Sequence, residues 1–369
     1  MKHNRINRLE NVLRDITEGL SYKEVQNLLK REVPEVYSFY VNRMEKPEPL
    51  GKTFRGKIRF IRKLFKGFLL QLSPARRIIY IISLIVLLEA VLAGSLGWGF
   101  VGFLLLNLLI ALELADKITY NEELSVARNI QNSLLPNSPP KNNNYDISIY
   151  SETAKSVGGD YYDFIHKGND LILAVGDISG KGMAAAIHMV QVQVLFRHIL
   201  ETHSSPKDIL SLLNDNLVNL FRPGTFFTIN LSTIKEDGSL QYCRAGHLPM
   251  IHYSQKAGKC INIIPKGIGI GLNRNGIFEN TLEEINLLPE QEDILIFFTD
   301  GITEAMNNYL MEYGEERLNL VIKNNASKTA EGIKSSIIAS LKSFTDSAPV
   351  NDDITLIVLK KSGIRIMDG

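Results

Sequence analysis

Apolar residues are distributed in two different ways along the chain. From Ile78 to Ala115 the sequence IIYIISLIVLLEAVLAGSLGWGFVGFLLLNLLIALELA carries only two charges, Glu89 and Glu113. Beyond Tyr145 the apolar residues come instead in short runs broken by turn residues. A single helix over the first stretch would reach about 57 Å, nearly twice a hydrocarbon core of roughly 30 Å. The pattern therefore predicts two short membrane spans, with Gly94-Ser-Leu-Gly-Trp-Gly99 as the turn and Trp98 at the interface.

The later runs predict strands at Asp146–Ser151, Tyr161–His166, Leu171–Gly176, Phe226–Ile234, Ser239–Ala245, Met250–Ser254, Asp293–Thr299 and Ile354–Lys360. Helical spacing predicts Met183–Thr202, Pro206–Phe221, Glu315–Lys323 and Thr329–Phe344. Two helices follow the first three strands and two more precede the last, which is not a strand-helix-strand alternation. The expected class is α+β, a layered sandwich of largely antiparallel sheets. Ahead of it, INRLENVLRDITEGL and SYKEVQNLLKREV read as helices, with Ser21 as N-cap and Glu24 three residues on. DKITYNEELSVARNIQNSLLP reads as a further helix that stops at Pro136. The expected organisation is a cytoplasmic helical region at 1–75, a transmembrane helical hairpin at 76–115, a linker helix at 116–140 and a globular domain at 141–362.

Charge adds an orientation. The formal net charge is only +1, but residues 1–77 hold 18 Lys and Arg against 8 Asp and Glu, or +10, which leaves −9 for the rest. KTFRGKIRFIRKLFK, just before the apolar stretch, is basic throughout and interleaved with Phe54, Ile58, Phe60, Ile61, Leu64 and Phe65. That pattern fits a helix on an anionic lipid surface better than a nucleic-acid site. Positive flanks stay on the cytoplasmic side. A multi-pass cell-membrane protein with its globular domain facing the cytoplasm is expected. Cys243 and Cys260 have neither CxxC spacing nor a disulfide framework and read as packing residues.

Candidate chemistry lies in acidic residues at the breaks between runs. GDISGKG, from Gly176 to Gly182, invites comparison with a phosphate-binding loop, but its glycines stand one residue too close and Gly182 occupies the place of the required hydroxyl. What remains is Asp177 at the end of a buried strand. Asp160 in VGGDYYD, Asp300 in IFFTDGITEA, and Asp352 and Asp353 in NDDITLIVL stand in comparable breaks. Each alone is explained as a turn residue. Converging, they would repel one another unless a cation lay among them, and hard oxygen donors select magnesium or manganese. Two such ions would lower the pKa of a water and hold phosphate oxygens, which points to phosphoester hydrolysis. No Cys-x5-Arg or G-x-S-x-G nucleophile is present. His188, His198 and His247 read as structural. Lys181 is a candidate to hold a phosphate, exposure on a loop being the simpler account.

Taken in order, SVGGDYYDF, VGDISGKGMAAA, CRAGHLPM, FFTDGITEA and NDDITLIVL resemble the motifs of bacterial metal-dependent PPM protein serine/threonine phosphatases of the SpoIIE/RsbU type. The resemblance covers roughly residues 117–361. It implies an α-β-β-α sandwich of two antiparallel sheets and two Mn²⁺ or Mg²⁺ ions. It further implies Asp177 as the carboxylate bridging them, the Ile178 carbonyl as a backbone ligand, Asp300 and Asp352 as ligands of the first metal, and Asp160 near a second or outer one. Asp353 stands where the wider superfamily often has asparagine, which implies hydrogen bonding before ligation. Gly158, Gly159, Gly180 and Gly301 match the small residues that shape the site. No counterpart is found for the phosphate-binding arginine of some eukaryotic relatives. VARNIQNSLLP resembles the family's linker helix, which implies coupling to an N-terminal module and a homodimer. The implied substrate is a phosphoprotein, for example an anti-sigma factor antagonist. The competing expectation is a non-catalytic membrane scaffold with a phosphatase-like domain.

Overall fold

A computed structural model describes residues 54–362 apart from 155–156, 273–275, 347 and 349. The helices expected before residue 50 and the basic segment's first two residues lie outside the described residues. The chain divides into two compact units between Thr119 and Tyr120.

In the first unit, helix α1 (Phe54–Gln71) is followed by α2 (Pro74–Ala93) and by α3, which begins at Leu96 and runs to Leu134. Ser73 and Pro74 open α2, and Gly94, at φ +64°, ends it in the left-handed conformation that glycine adopts without strain. The turn therefore falls at Gly94-Ser95, within the glycine cluster. The helices run antiparallel and close together. A Cβ on Gly99 would lie 3.7 Å from that of Ala90, and one on Gly102 would lie 2.6 Å from Leu87 Cγ, so the small residue is what allows the approach. At the far end of the hairpin Arg76 reaches Glu113 at 3.0 Å and Asp116 at 2.7 Å. No boundary falls at Ala115. The helical spacing of residues 116–134 simply continues α3, so the hairpin's second arm and the expected linker are one 39-residue helix. The described helices long and apolar enough to cross a membrane are Leu96–Leu134 and Met183–Leu200. The latter packs against a sheet of the second unit; α2 carries Arg76, Arg77 and Glu89 and is not among them.

The second unit is built on two five-stranded sheets. One has the order β1 (Tyr145–Glu152), β10 (Ile354–Lys361), β9 (Ile294–Phe298), β6 (Met250–Ser254), β7 (Lys259–Ile263). The other has the order β2 (Asp160–Lys167), β3 (Asp170–Ile178), β4 (Phe227–Ile234), β5 (Leu240–Ala245), β8 (Glu284–Leu287). Every pair is antiparallel. The unbroken apolar runs follow from this layering, because central strands are buried on both faces. In β3, Leu171, Leu173 and Val175 meet the opposite sheet together with Leu295, Phe297, Ile357 and Leu359. Ile172, Ala174 and Ile178 point the other way, under helices α4 (Met183–Leu200) and α5 (Pro206–Leu220). The outer face of the first sheet is covered by α8 (Glu315–Asn324) and α9 (Ala330–Thr345), which bury Leu318, Ile322, Ile333 and Ile337 on Ile294, Ile296, Leu356 and Val358.

Helix ends depart from the expectation by one or two residues. α4 stops at Leu200 instead of Thr202 because Lys167 donates to the carbonyls of Leu200 at 2.6 Å and His203 at 2.8 Å. Ser205 and Thr329 cap α5 and α9. Strands β7 and β8 were not expected. Both are edge strands of four or five residues with exposed polar positions, so neither shows an apolar run. Two short helices complete the unit, α6 (Ile277–Thr281) and α7 (Asp300–Thr303).

Candidate active site

All five acidic candidates gather where strand ends of the two sheets meet. Asp177 is the last residue but one of β3, and its Cα partner across the ladder is Asp160, the first residue of β2. Asp300 opens α7 immediately after β9 and Thr299. Asp352 and Asp353 precede β10, the neighbour of β9. Antiparallel pairing thus brings together residues up to 193 positions apart.

Their partners separate them by role. Asp160 is 6% exposed, and one of its oxygens accepts from Thr299 Oγ1 at 2.8 Å and from Thr355 Oγ1 at 2.6 Å. Asp353 spends both oxygens on backbone amides, Oδ1 on Ala154 at 2.8 Å and Oδ2 on Gly159 at 2.7 Å. It ties Ala154, beyond the end of β1, and Gly159, just before β2, to the segment ahead of β10. Asp352 places Oδ2 at 2.5 Å from Lys181 Nζ and accepts from the Asp353 amide with Oδ1 at 3.0 Å. Among the described residues no side-chain donor is bonded to the carboxylate of Asp177 or of Asp300; Thr228 and Thr303 donate to their backbone carbonyls.

The field in this pocket disfavours negative charge. Burial, reinforced by Asp300, Asp352 and Asp353, pushes Asp177 up to about 7. Burial also raises Asp160 well above the carboxylate range, against the pull of Thr355, and raises Asp300, where Asp352 adds to the effect. Such a cluster demands compensating positive charge. As the side chains stand, no three His, Cys, Asp or Glu groups among the described residues are close enough to ligate one ion. The reasons are visible: Asp352 is turned to Lys181, Asp160 to two hydroxyls and Asp353 to two amides.

The backbone nonetheless leaves a cradle of the right chemistry. A Cβ on Gly159 would stand 2.8 Å from Asp177 Oδ1 and 3.0 Å from the Ile178 carbonyl, so glycine keeps open the space beside the two expected donors. Gly180 and Gly182, at φ +102° and +78°, turn the chain from β3 into α4. The donors are carboxylate and carbonyl oxygens, which fit magnesium or manganese.

Several supporting residues escaped the sequence reading. Thr299 and Thr355 are ordinary strand-end threonines until the fold puts them around Asp160. Gln131, on α3, donates to the Gly158 carbonyl at 2.7 Å and accepts from the Gly158 amide at 3.1 Å. His247, which the sequence already marks as structural, bridges the sheets, with Nδ1 2.9 Å from Thr228 Oγ1 and Nε2 3.2 Å from the Phe298 carbonyl. Burial lowers its pKa to about 4, so the ring is neutral and structural, its Nε2–H donating to the carbonyl. His188 sits against the Phe221 ring and His198 is exposed beside Glu201. Burial raises both cysteines, Cys260 to about 11, so neither is a thiolate at neutral pH.

Two antiparallel sheets between helix pairs, with acidic strand ends at one rim, define a PPM-type phosphatase fold. The profile of the stage II sporulation protein E (SpoIIE) family matches residues 167–362, more than half of the sequence. The chain belongs to that family and is a PPM-type protein serine/threonine phosphatase, a class that works in signalling. It is 29% identical to the phosphoserine phosphatase RsbU of Bacillus subtilis over 242 residues, covering 65% of this chain and 70% of that one. The fold is shared with the SiaA-PP2C domain of Pseudomonas aeruginosa at TM-score 0.57 and 18% identity, over 67% of this chain and 98% of that domain. It is shared also with the PP2C phosphatase domain of SpoIIE from Bacillus subtilis at TM-score 0.51 and 22% identity, over 60% and 64% of the respective chains.

Proposed function

We propose that this chain is a membrane-anchored phosphatase that removes phosphate from phosphoserine or phosphothreonine of a partner protein, with two Mn²⁺ or Mg²⁺ ions held by Asp177, the Ile178 carbonyl, Asp300 and Asp352. Asp160 and Asp353 belong to the same set in a supporting part, since their oxygens already hold Thr299, Thr355 and the amides of Ala154 and Gly159. The observation that carries the reading is the meeting of Asp177, Asp300 and Asp352 from three separate strand ends, with burial and mutual repulsion raising Asp177 and Asp300. When bound there, divalent ions supply a lowered water pKa and charge for the phosphate oxygens. The protein's own part is to fix those oxygens on rigid strands and to keep the rim open through Gly158 and Gly159.

The RsbU relative is a phosphoserine phosphatase, which supports a phosphoprotein substrate, an anti-sigma factor antagonist being the example the resemblance suggests. Attachment to the membrane is supported by large apolar side chains that point outward on α2 and on the first half of α3, Val91 and Leu92 at 79% and Leu96 at 93% exposure. The basic flank supports a cytoplasmic face for the phosphatase unit. Val126 and Ile130, exposed one turn apart on α3, support pairing with a second copy.

The test uses the full chain in detergent micelles. Release of phosphate from p-nitrophenyl phosphate is expected with Mn²⁺, lost with EDTA, and reduced at least about 10³-fold in Asp177→Asn, about 4 kcal/mol of barrier. Turnover that survives EDTA overturns the mechanism. A scaffold without catalysis would neither take up two ions on titration nor turn over.

A further inference from the structure

The pocket collects anionic groups, yet the substrate it is built for is itself an anion. Bound ions would meet part of that charge and leave room for a positive side chain, and the guanidiniums of this unit that the fold engages are committed elsewhere: Arg197 to Asp163, Arg244 to the carbonyls of Pro265 and His247, Arg317 to those of Glu312 and Tyr313. Among the described residues no arginine is hydrogen-bonded to Asp177, Asp300 or Asp352. Lys181 is placed differently. It lies on the loop between Asp177 and α4, its Nζ is 2.5 Å from Asp352 Oδ2 and 3.3 Å from the Asn351 carbonyl, and half of its side chain is exposed. Gly180 and Gly182 on either side take backbone conformations with positive φ, so the loop projects the lysine across the rim onto the other sheet's acidic segment.

Asp352 is therefore claimed twice, by the ammonium in this structure and by a divalent ion in the function proposed above, on which this inference rests. One carboxylate cannot give its full charge to both, and a divalent ion repels the ammonium beside it. A lysine is suited to the exchange, being a compact charge with three donors on a flexible stem. We propose that Lys181 is a side-chain ligand of the substrate phosphate beside any bound ions, kept at the rim by Asp352 until cation binding releases it to the phosphate oxygens.

The experiment measures binding of inorganic phosphate to the Mn²⁺-loaded full chain by calorimetry, alongside KM and kcat for p-nitrophenyl phosphate and Mn²⁺ binding without substrate. Lys181→Gln is expected to weaken phosphate binding and raise KM about tenfold, the worth of one charge-assisted hydrogen bond, while kcat stays within about threefold. It is expected to bind Mn²⁺ at least as tightly as the parent, since a competitor for Asp352 is gone. Lys181→Arg, which keeps charge and donors, is expected to recover most of the phosphate affinity. Phosphate binding unchanged in Lys181→Gln overturns the inference, as does a loss of Mn²⁺ binding, which would make Lys181 part of the metal frame. Failure of the parent chain itself to bind Mn²⁺ would instead strike the proposed function. Equal melting temperatures of parent and variants establish that folded proteins are compared.

Discussion

The two units use similar apolar residues to opposite ends. In the phosphatase unit Leu171, Leu231 and Leu295 are fully buried between and beneath the sheets, while on α2 and α3 Leu88, Val91, Leu92 and Leu96 face outward at 61% to 93% exposure. Composition alone does not distinguish these fates; the period does. Runs of four to six apolar residues closed by Asp, Gly or Asn fold into strands with two buried faces, whereas an unpunctuated stretch can only be covered by something outside itself. The exceptions inside the well-packed unit are instructive for the same reason. Asp160, Asp163, Asn230 and His247 are buried polar groups, each with hydrogen-bond partners.

The contrast is broken most decisively by a charge on each side of it. Leu231→Asp places an unpaired carboxylate inside the sheet and is expected to cost more than about 5 kcal/mol, enough to abolish the phosphatase unit's cooperative melting transition. Leu92→Asp is expected to leave that transition where it was and to lower membrane retention in carbonate extraction instead. A Leu92→Asp protein with an unfolded phosphatase unit would show that the outward face is no lipid surface. Next in size is the effect of cations on the unit that buries its charges. Mn²⁺ at a thousandfold excess over its dissociation constant should stabilise by about 4 kcal/mol, read as a rise in melting temperature. The gain should be larger at pH 8 than at pH 5, because protons compete for the raised Asp177 and Asp300.

A smaller effect comes from His247. Its folded pKa, about 4, lies below the ordinary 6.5, so between those values the unfolded chain binds a proton that the folded one refuses. Stability from this group is complete above pH 6.5 and falls by on the order of 3 kcal/mol as pH drops toward 4. Asp160 and Asp177 act in the opposite sense, since raised carboxyls favour the folded form at acid pH and lose that contribution as pH rises. The difference in denaturation free energy between parent and His247→Asn across pH 4–7 isolates the histidine; parallel curves would contradict its assignment. Smallest is Thr355→Val, which removes one of two hydroxyls from Asp160 and should cost about 1–2 kcal/mol in denaturant unfolding.

Much of this architecture was legible beforehand, and the parts that were not share a cause. β3, β9 and β10 announce themselves because both faces are apolar. β7 and β8 do not, because an edge strand needs only one partner and Lys259, Asn262 and Asn286 remain polar. Asp177, Asp300 and Asp352 were identifiable at strand ends from local punctuation together with the recurring motifs. What surrounds them was not. Asp160 meets Thr299 and Thr355 from 139 and 195 residues away, and Lys181 meets Asp352 across 171. No local window contains such pairs; they exist only once the register of two sheets is set.

The side chain of Gln131 illustrates how narrow such long-range fits are. An amide that gives one hydrogen bond to Gly158 and takes another from it reproduces a rung of β-ladder from within a helix. Glutamate can only take, lysine can only give, and asparagine is one carbon too short to reach both atoms from the same backbone position. The end of α3 is thereby knitted into the strand-end loop beside Asp160, and shape-conserving exchanges at this one helical position should be tolerated far less than on its exposed neighbours Ile130 and Val126.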